Sequence, residues 1–476
     1  MAVFASPASV AGPWRFAVTC DSRGTTGGIN EPVLSELAHE IVRSGAEFFI
    51  YPGDLVYGAR VPPALFESQL WDWVRAMRPL YDAGIPVYVC RGNHEVGDMW
   101  DAVPPQRPDP YDNYGIRWLR VFGDPGRPEL LLPDKSPPGE EHMTYALIHE
   151  NALIVGLDQY GGRNYWLAHS VDQTWLDAEL ERNTKPHVFV FGHEPAFRTY
   201  HWDCLDAHPA QRDAFWNSLS RAGGRTYFCG HDHYYDHAVV DDGDDDPGND
   251  IHQLVVATAG APFYEWSPPY LGDNGDFIPH QLYHIQRYGY ILVDVDSLNV
   301  TLTWMQRRDN DMSLPGIYEV GEVWGYTVVP GPVVLSPNGG ERVIVGRPFS
   351  IRWKMIDGAD VKRVTLEYSV DDGLTWLFID EVDNDRTYAW DVPKLDSATC
   401  LVRVSRAAPL SAVNPTGGGW ATSDVSDAVF SIFECQAKLA ADLNGDCYVD
   451  VADMALMASE WLKCGNPLDP ACNPLE

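Results

Sequence analysis

Five short polar motifs, each directly after an apolar run, hold the residues of this sequence best suited to chemistry: Asp21-Ser-Arg23, Gly53-Asp54-Leu-Val-Tyr57, Gly92-Asn93-His94-Glu95, Gly192-His193 and Gly230-His231-Asp-His233. Their donors are carboxylate and amide oxygens plus imidazole nitrogens, with no thiolate in the set. That mixture suits iron, manganese or zinc rather than a cysteine-held structural zinc. Two aspartates, an asparagine and several histidines can serve two ions if one aspartate bridges them. Two ions about 3.5 Å apart would clamp a phosphoryl group and acidify a water between them, so hydroxide forms at neutral pH. Glycines beside the histidines let the backbone turn sharply and approach an ion.

The elements that must position these residues are legible in the apolar pattern. Strand-like runs cover Phe16–Cys20, Phe48–Tyr51, Val87–Cys90, Ala152–Leu157, Val188–Phe191 and Thr226–Cys229, and helical patterns cover Val33–Ser44, Ala64–Tyr81 and Val171–Arg182. Short, continuous apolar strands separated by helices predict an α/β sheet covered on both faces. In such sheets ligands bind at the carboxyl ends of the strands, so the five motifs are expected to meet on one rim. After His252 the pattern turns to hairpins, as in Gly289–Val295 and Val300–Met305.

Val328-Val-Pro-Gly-Pro332 reads as a linker, which sets a first domain at 12–326. Residues 331–433 carry only short alternating strands (Phe349–Lys354, Arg363–Tyr368, Tyr388–Val392, Leu401–Val404, Val429–Phe433) and predict a β-sandwich. A third segment, 435–476, is an acidic loop followed by an amphipathic helix over Met454–Leu462.

The length of 476 residues calls for two or three domains, and 45% hydrophobic content fills them. A net charge of −34 repels nucleic acid and anionic lipid, so neither is expected as a steered partner. It also repels phosphate, so a phosphoester must be drawn in by a local cation. No apolar run is long enough to span a membrane. The N-terminal residues do not form an intact signal peptide, whereas Cys435, Cys447, Cys464 and Cys472 crowd the last 42 residues. Such crowding predicts disulfides, their pairing left open, and a secreted or cell-surface protein whose signal has been removed. Cys20, Cys90 and Cys229 lie beside the motifs and read as buried inert thiols. His142, His149, His169, His208 and His280 fit no motif, and the acidic run Asp241–Asp246 reads as a solvated loop.

The motifs, in this order and strand-to-loop context, resemble those of calcineurin-like metallophosphoesterases over residues ~15–305. The resemblance implies a four-layer α-β-β-α sandwich and a dinuclear phosphoester hydrolase whose nucleophile is a metal-bridging hydroxide. It makes Asp54 the bridging ligand, gives Asp21 and His233 to one ion, and gives Asn93, His193 and His231 to the other. Most members begin with Asp-x-His. Arg23 stands at that histidine position and cannot be a ligand, because guanidinium stays protonated. Purple acid phosphatases also lack that histidine and use the tyrosine of Gly-Asp-x-x-Tyr, which implies Tyr57 as a ligand and a phosphomonoesterase holding iron with zinc, manganese or a second iron. The alternative for Tyr57 is a loop residue with no bond to metal. Arg23 is then placed to hold a phosphate oxygen. The reading gives His94 a proton to donate to the leaving group or a role in orienting a ligand, and makes His201 a substrate-facing histidine.

Residues 331–433 resemble the immunoglobulin-like modules of secreted bacterial enzymes. In the tail, Asp442, Asn444, Asp446, the Tyr448 carbonyl, Asp450 and Asp453 have the spacing of an EF-hand calcium loop. Aspartate at the last position resembles dockerins, implying Ca2+ and a cohesin or other cell-surface partner, although one repeat is present where dockerins carry two. Two further functions stand beside the phosphomonoesterase: a phosphodiesterase or nucleotidase on a zinc or manganese site, and a calcium-dependent adhesion or scaffold protein with a vestigial phosphatase domain.

Overall fold

The computed structural model describes residues 12–24, 28–58, 61–96, 113–162, 168–243, 247–328, 331–356, 361–406, 423–436, 439–444 and 447–460. The chain forms two compact units, Met1–Val329 and Pro330–Glu476.

The first unit opens with β1 (Trp14–Val18), α1 (Glu31–Ser44), β2 (Phe48–Tyr51), α2 (Pro63–Ala76), α3 (Arg78–Asp82) and β3 (Val87–Val89). It continues with α4 (Tyr114–Phe122), β4 (Tyr145–His149), β5 (Ala152–Gly156), α5 (Gln173–Arg182), β6 (His187–Phe191), α6 (Pro209–Arg221) and β7 (Thr226–Cys229). Six strands close it: β8 (Tyr235–Asp241), β9 (Ile251–Val256), β10 (Ile278–Ile285), β11 (Gly289–Asp296), β12 (Asn299–Arg307) and β13 (Tyr318–Thr327). The predicted helix 64–81 is broken at Met77 because Pro79, in the first turn of α3, has no N–H to continue the ladder.

Two mixed sheets result. One has the order β13-β12-β11-β1-β2-β3, the other β10-β8-β9-β7-β6-β5-β4. Strands β1, β2 and β3 run parallel in the first, as do β5, β6, β7 and β9 in the second. Side chains alternate across the second sheet. Ile154, Phe189, Phe191 and Phe228 join the core shared with the first sheet, α1 and α2, whereas Leu153, Val188, Val190 and Tyr227 pack with α5 and α6 residues. All of these are essentially fully buried, so the carboxyl ends of the strands are held on a rigid base. Among the described residues no helix is long and apolar enough to cross a membrane.

The second unit is all-β apart from its last element. It comprises β14 (Pro332–Ser336), β15 (Arg342–Ile344), β16 (Pro348–Met355), β17 (Arg363–Ser369), β18 (Leu377–Asp383), β19 (Thr387–Asp391), β20 (Ser397–Arg406), β21 (Ser423–Val425) and β22 (Phe430–Phe433). Strands β14-β16-β19 form one sheet and β15-β22-β20-β17-β18 the other. Ile351, Trp353, Leu366, Trp390 and Phe430 fill its core. Helix α7 spans Val451–Glu460, starting three residues before the predicted Met454.

Candidate active site

Each motif follows a parallel strand: the first three leave β1, β2 and β3, and the last two leave β6 and β7. The loops are tied to one another by backbone bonds, Asp21 N–H to Gly53 O at 3.3 Å, Ser22 N–H to Asp54 O at 3.1 Å and Gly230 N–H to His193 O at 2.8 Å. Three of the expected ligands take left-handed backbone themselves, Asp21 at φ +62°, Asp54 at +50° and His231 at +72°. Such conformations cost about 1–3 kcal/mol each and persist where surrounding structure imposes them. Glycine beside them is a steric need: a Cβ on Gly92 would meet the Asp54 carboxylate, and one on Gly230 would meet that of Asp21.

The side chains converge. His193 donates Nδ1–H to the Pro52 carbonyl at 2.9 Å, which leaves its Nε2 lone pair facing Asn93 Oδ1 at 3.2 Å and Asp54 Oδ1 at 3.3 Å. His233 donates Nδ1–H to Pro262 O at 2.7 Å, and its Nε2 lies 3.5 Å from Asp21 Oδ1. Asp21 Oδ1 and His231 Nε2 are buried and make no hydrogen bond. Lone pairs meeting with no proton between them are repulsive unless a cation joins them. Asp21, Asp54 and His193 also lie close enough to hold one ion together. The donor set therefore fits metal, and His193 and His233 are each oriented through the other ring nitrogen as ligands usually are.

Burial and neighbouring charges set the ionisation of these groups. Burial pushes the Asp21 carboxyl well up, reinforced by the Asp54 charge. Burial works the same way on Asp54, but His193, His94 and Arg23 outweigh it and hold it well below the usual carboxylate range. Burial drives His233 well down, with Arg23 adding to the effect. Burial opposes protonation of His231 too, yet the Asp203 and Asp232 carboxylates lift it to about 10. Asp203 Oδ1 lies 3.6 Å from His231 Nε2.

Around the donors sit residues of several roles. Arg23 places Nε 3.3 Å from His233 Nε2 and 3.8 Å from Asp54 Oδ2, and donates through Nη2 to the Tyr264 hydroxyl at 3.0 Å. His94 turns Nδ1 to the Tyr57 carbonyl, leaving Nε2 3.8 Å from Asp54 Oδ2. His201 Nδ1 meets Asp232 Oδ1 at 2.6 Å, and the His201 and His231 rings are 4.8 Å apart. Tyr57 contacts this group through its ring, 5.9 Å from that of His94.

Other residues were not singled out by sequence. Glu95 accepts from the N–H groups of Asp54, Val56 and Gly92 at 2.8–3.2 Å, locking the second motif to the third. Arg91 grips Asp158 with two bonds of 2.7 and 2.8 Å, both side chains fully buried, just ahead of Asn93. Tyr264, from the loop after β9, stacks on His233 at 4.1 Å. His169 bonds Glu194, the neighbour of His193, at 2.8 Å. None of these roles carries a local sequence signal; each is defined by a partner at least 25 positions away, and Glu95, although it stands in the third motif, reaches Asp54 across 41 positions. Cys20, Cys90 and Cys229 are fully buried, unpaired, and pushed up by burial.

Residues 27–235 match the family model for calcineurin-like phosphoesterases. This stretch is similar to calcineurin-like phosphoesterase domains. The family is one of metal-dependent phosphoester hydrolases, and the chain is an enzyme of that class. The phosphoesterase match starts after Asp21 and Arg23 and ends just past His233, so four of the five motifs lie inside it. A comparison with curated proteins finds no match. Among solved structures, a marsupial T cell receptor aligns at 13% identity and TM-score 0.14, over 44% of this chain and 65% of that one, too slight a likeness to carry an argument.

In the tail, the Asp453 carboxylate accepts from Leu443, Asn444 and Asp450 N–H groups, and that of Asp442 from Cys447 N–H. Cys447 takes φ +72° at the loop position where EF-hands place glycine. It forms a disulfide with Cys435. Asp446, Cys464 and Cys472 lie outside the described residues.

Proposed function

We propose that the first unit hydrolyses phosphomonoesters in the manner of purple acid phosphatases, with two ions (iron with zinc, manganese or a second iron) held by Asp21, Asp54, Asn93, His193, His231 and His233. The observation that carries this reading is the meeting of the Asp54, Asn93 and His193 lone pairs within 3.2–3.3 Å. Bound ions supply Lewis acidity toward phosphoryl oxygen and lower the pKa of water. Arg23 offers a guanidinium fork to a phosphate oxygen, matching the double charge of a monoester. Asn93 stabilises charge developing on the phosphoryl oxygens. His94 gives the leaving oxygen its Nε2 proton when it is the imidazolium, and Asp232 fixes the His201 tautomer so that its Nε2 faces substrate.

Exposed Trp202 and Trp266, beside His201 and Tyr264 in sequence, support a second reading in which a nucleotide base stacks there. Turnover of p-nitrophenyl phosphate, bis(p-nitrophenyl) phosphate and AMP by the metal-loaded enzyme tests the choice. The monoesterase reading expects kcat/KM highest on the first; a preference for the second or third substrate selects the diesterase or nucleotidase. Absence of turnover on all three with the metals bound returns the vestigial-domain alternative.

The same proposal extends to the remaining architecture. The two core clusters support a four-layer α-β-β-α arrangement, and the two small sheets an immunoglobulin-like module. The Cys435–Cys447 disulfide supports an oxidising, extracellular setting. The left-handed Cys447 supports a dockerin-like Ca2+ loop and a cohesin or other cell-surface partner.

A further inference from the structure

The first ion's site is one protein ligand short, since Arg23 replaces the histidine that most relatives place there. Tyr57 was the expected substitute, yet its contact with the site runs through its ring to His94. A different tyrosine stands at the gap. Tyr264 Oη lies 3.4 Å from His233 Nε2, and Asp21 Oδ1 lies 3.5 Å from the same nitrogen. Donor atoms sharing one ion at bond lengths of about 2.0–2.2 Å lie about 2.8–3.6 Å apart, the lower end for octahedral neighbours and the upper for tetrahedral ones. Both separations fall in that range, and Asp21 Oδ1 is buried with no hydrogen bond.

The ring is held on several sides. It stacks on His233 at 4.1 Å with a 16° interplanar angle and on Tyr200 at 5.1 Å with 15°, and it meets His201 edge-on. The backbone is pinned as well, Tyr264 N–H donating to His233 O at 3.3 Å. Arg23 Nη2 donates to the phenol oxygen at 3.0 Å. A guanidinium there stabilises a phenolate oxygen, as outer partners of metal ligands commonly do.

We propose that Tyr264, rather than Tyr57, completes the ligand set of the first ion, with Asp21, Asp54 and His233, and that Arg23 acts as its hydrogen-bonding partner. The ion takes the His233 lone pair that Arg23 Nε now engages. This rests on the metal-site reading above but commits to a ligand outside the five motifs.

The test is the visible spectrum of full-length protein, stripped of metal and reloaded with iron and zinc, alongside metal content by elemental analysis. Ferric iron bound to phenolate gives a charge-transfer band that iron bound to carboxylate and imidazole lacks. The expected result is a band in the wild type and in Tyr57→Phe, and none in Tyr264→Phe, whose hold on the first ion weakens at least about 10-fold. Tyr264→His, which offers a nitrogen instead, should retain two ions without the band. A band lost in Tyr57→Phe and kept in Tyr264→Phe overturns the proposal. So does a wild type that turns over phosphoester with iron bound and shows no band, a result that leaves the hydrolase reading intact. Loss of both metal binding and turnover in the wild type would sink the two together.

Discussion

Left-handed backbone closes turns in both units, as at Glu150 and Ser297 between paired strands of the first, but among the described residues only the first unit also places it at buried strand ends. In the second unit the left-handed residues Asp372 and Arg386 sit exposed in connections between strands, Asp372 in the β17–β18 hairpin. In the first, Asp21, Asp54 and His231 adopt it at strand ends while buried, so the strain aims charged donors inward. The cores differ likewise. Among the described residues of the second unit, Lys354 and Asp453 are the buried charged side chains. The first unit buries Asp21, Asp54, Arg91, Glu95, Asp158, His193, Asp232 and His233 around one rim. Burying that many charges is costly unless each is paired or joined by an ion. The second unit is therefore organised for stability and the first spends stability on a site.

The largest effect expected from this contrast is on turnover. Asp54→Asn should lower kcat/KM more than about 10²-fold, since it removes the carboxylate at the centre of the donor set. Circular dichroism should be unchanged, because the fold of the first unit rests on its apolar layers. Retained activity in Asp54→Asn would erase the distinction between the units.

Next comes the buried pair behind the third motif. Arg91→Met leaves Asp158 unpaired inside the protein and should destabilise the first unit by about 3–5 kcal/mol in denaturant titration. An effect under about 1 kcal/mol would mean that Asp158 finds another partner.

The mirror experiment is in the second unit. Leu366, fully buried between the two small sheets, should cost about 2–5 kcal/mol as Leu366→Ala, with kcat/KM on a small phosphoester unaltered. A fall in kcat/KM that tracks the destabilisation would show that the β unit supports the site.

The smallest expected effect is in pH dependence, where the units should slope in opposite directions. Burial, then His237, drives His252 down to about 3, so the unfolded chain binds a proton below its ordinary pKa that the folded chain refuses. The first unit thus loses stability as pH falls from about 6.5. Burial lifts Asp424 to about 6, so its folded state holds the extra proton and the second unit loses stability as pH rises toward 6. Each slope is at most about 1.4 kcal/mol per pH unit. Denaturation midpoints between pH 4 and 6 check this, and His252→Asn and Asp424→Asn should flatten the respective slopes.

Much of the scaffold was legible because its central strands are continuous apolar runs. Phe48–Tyr51 and Thr226–Cys229 coincide with β2 and β7, and the other central strands differ by one or two residues at an end. Edge strands were not legible: β10 and β13 have no fully buried residue, and their mixed composition lacks a clean alternation. Helix α6 escaped because Arg212 and Ser218 are buried on its inner face, blurring the apolar stripe. Motif spacing brought out Asp21, Asp54, Asn93, His193, His231 and His233 because each follows a strand. Tyr264, Asp203 and Arg91 act through partners far away in sequence, and no spacing rule reveals a contact made by folding.

The central claim is that these strand-end donors form a metal-dependent phosphoester-hydrolysing site, and one experiment addresses it directly. Wild type and His193→Ala would be stripped with chelator, reloaded with iron and zinc, and assayed for bound metal and p-nitrophenyl phosphate turnover in the same samples. The account predicts that wild type loses turnover with its metal and regains both, whereas His193→Ala binds less metal and stays inactive. Full turnover in the metal-free wild type, or a His193→Ala variant restored like the wild type, would contradict it.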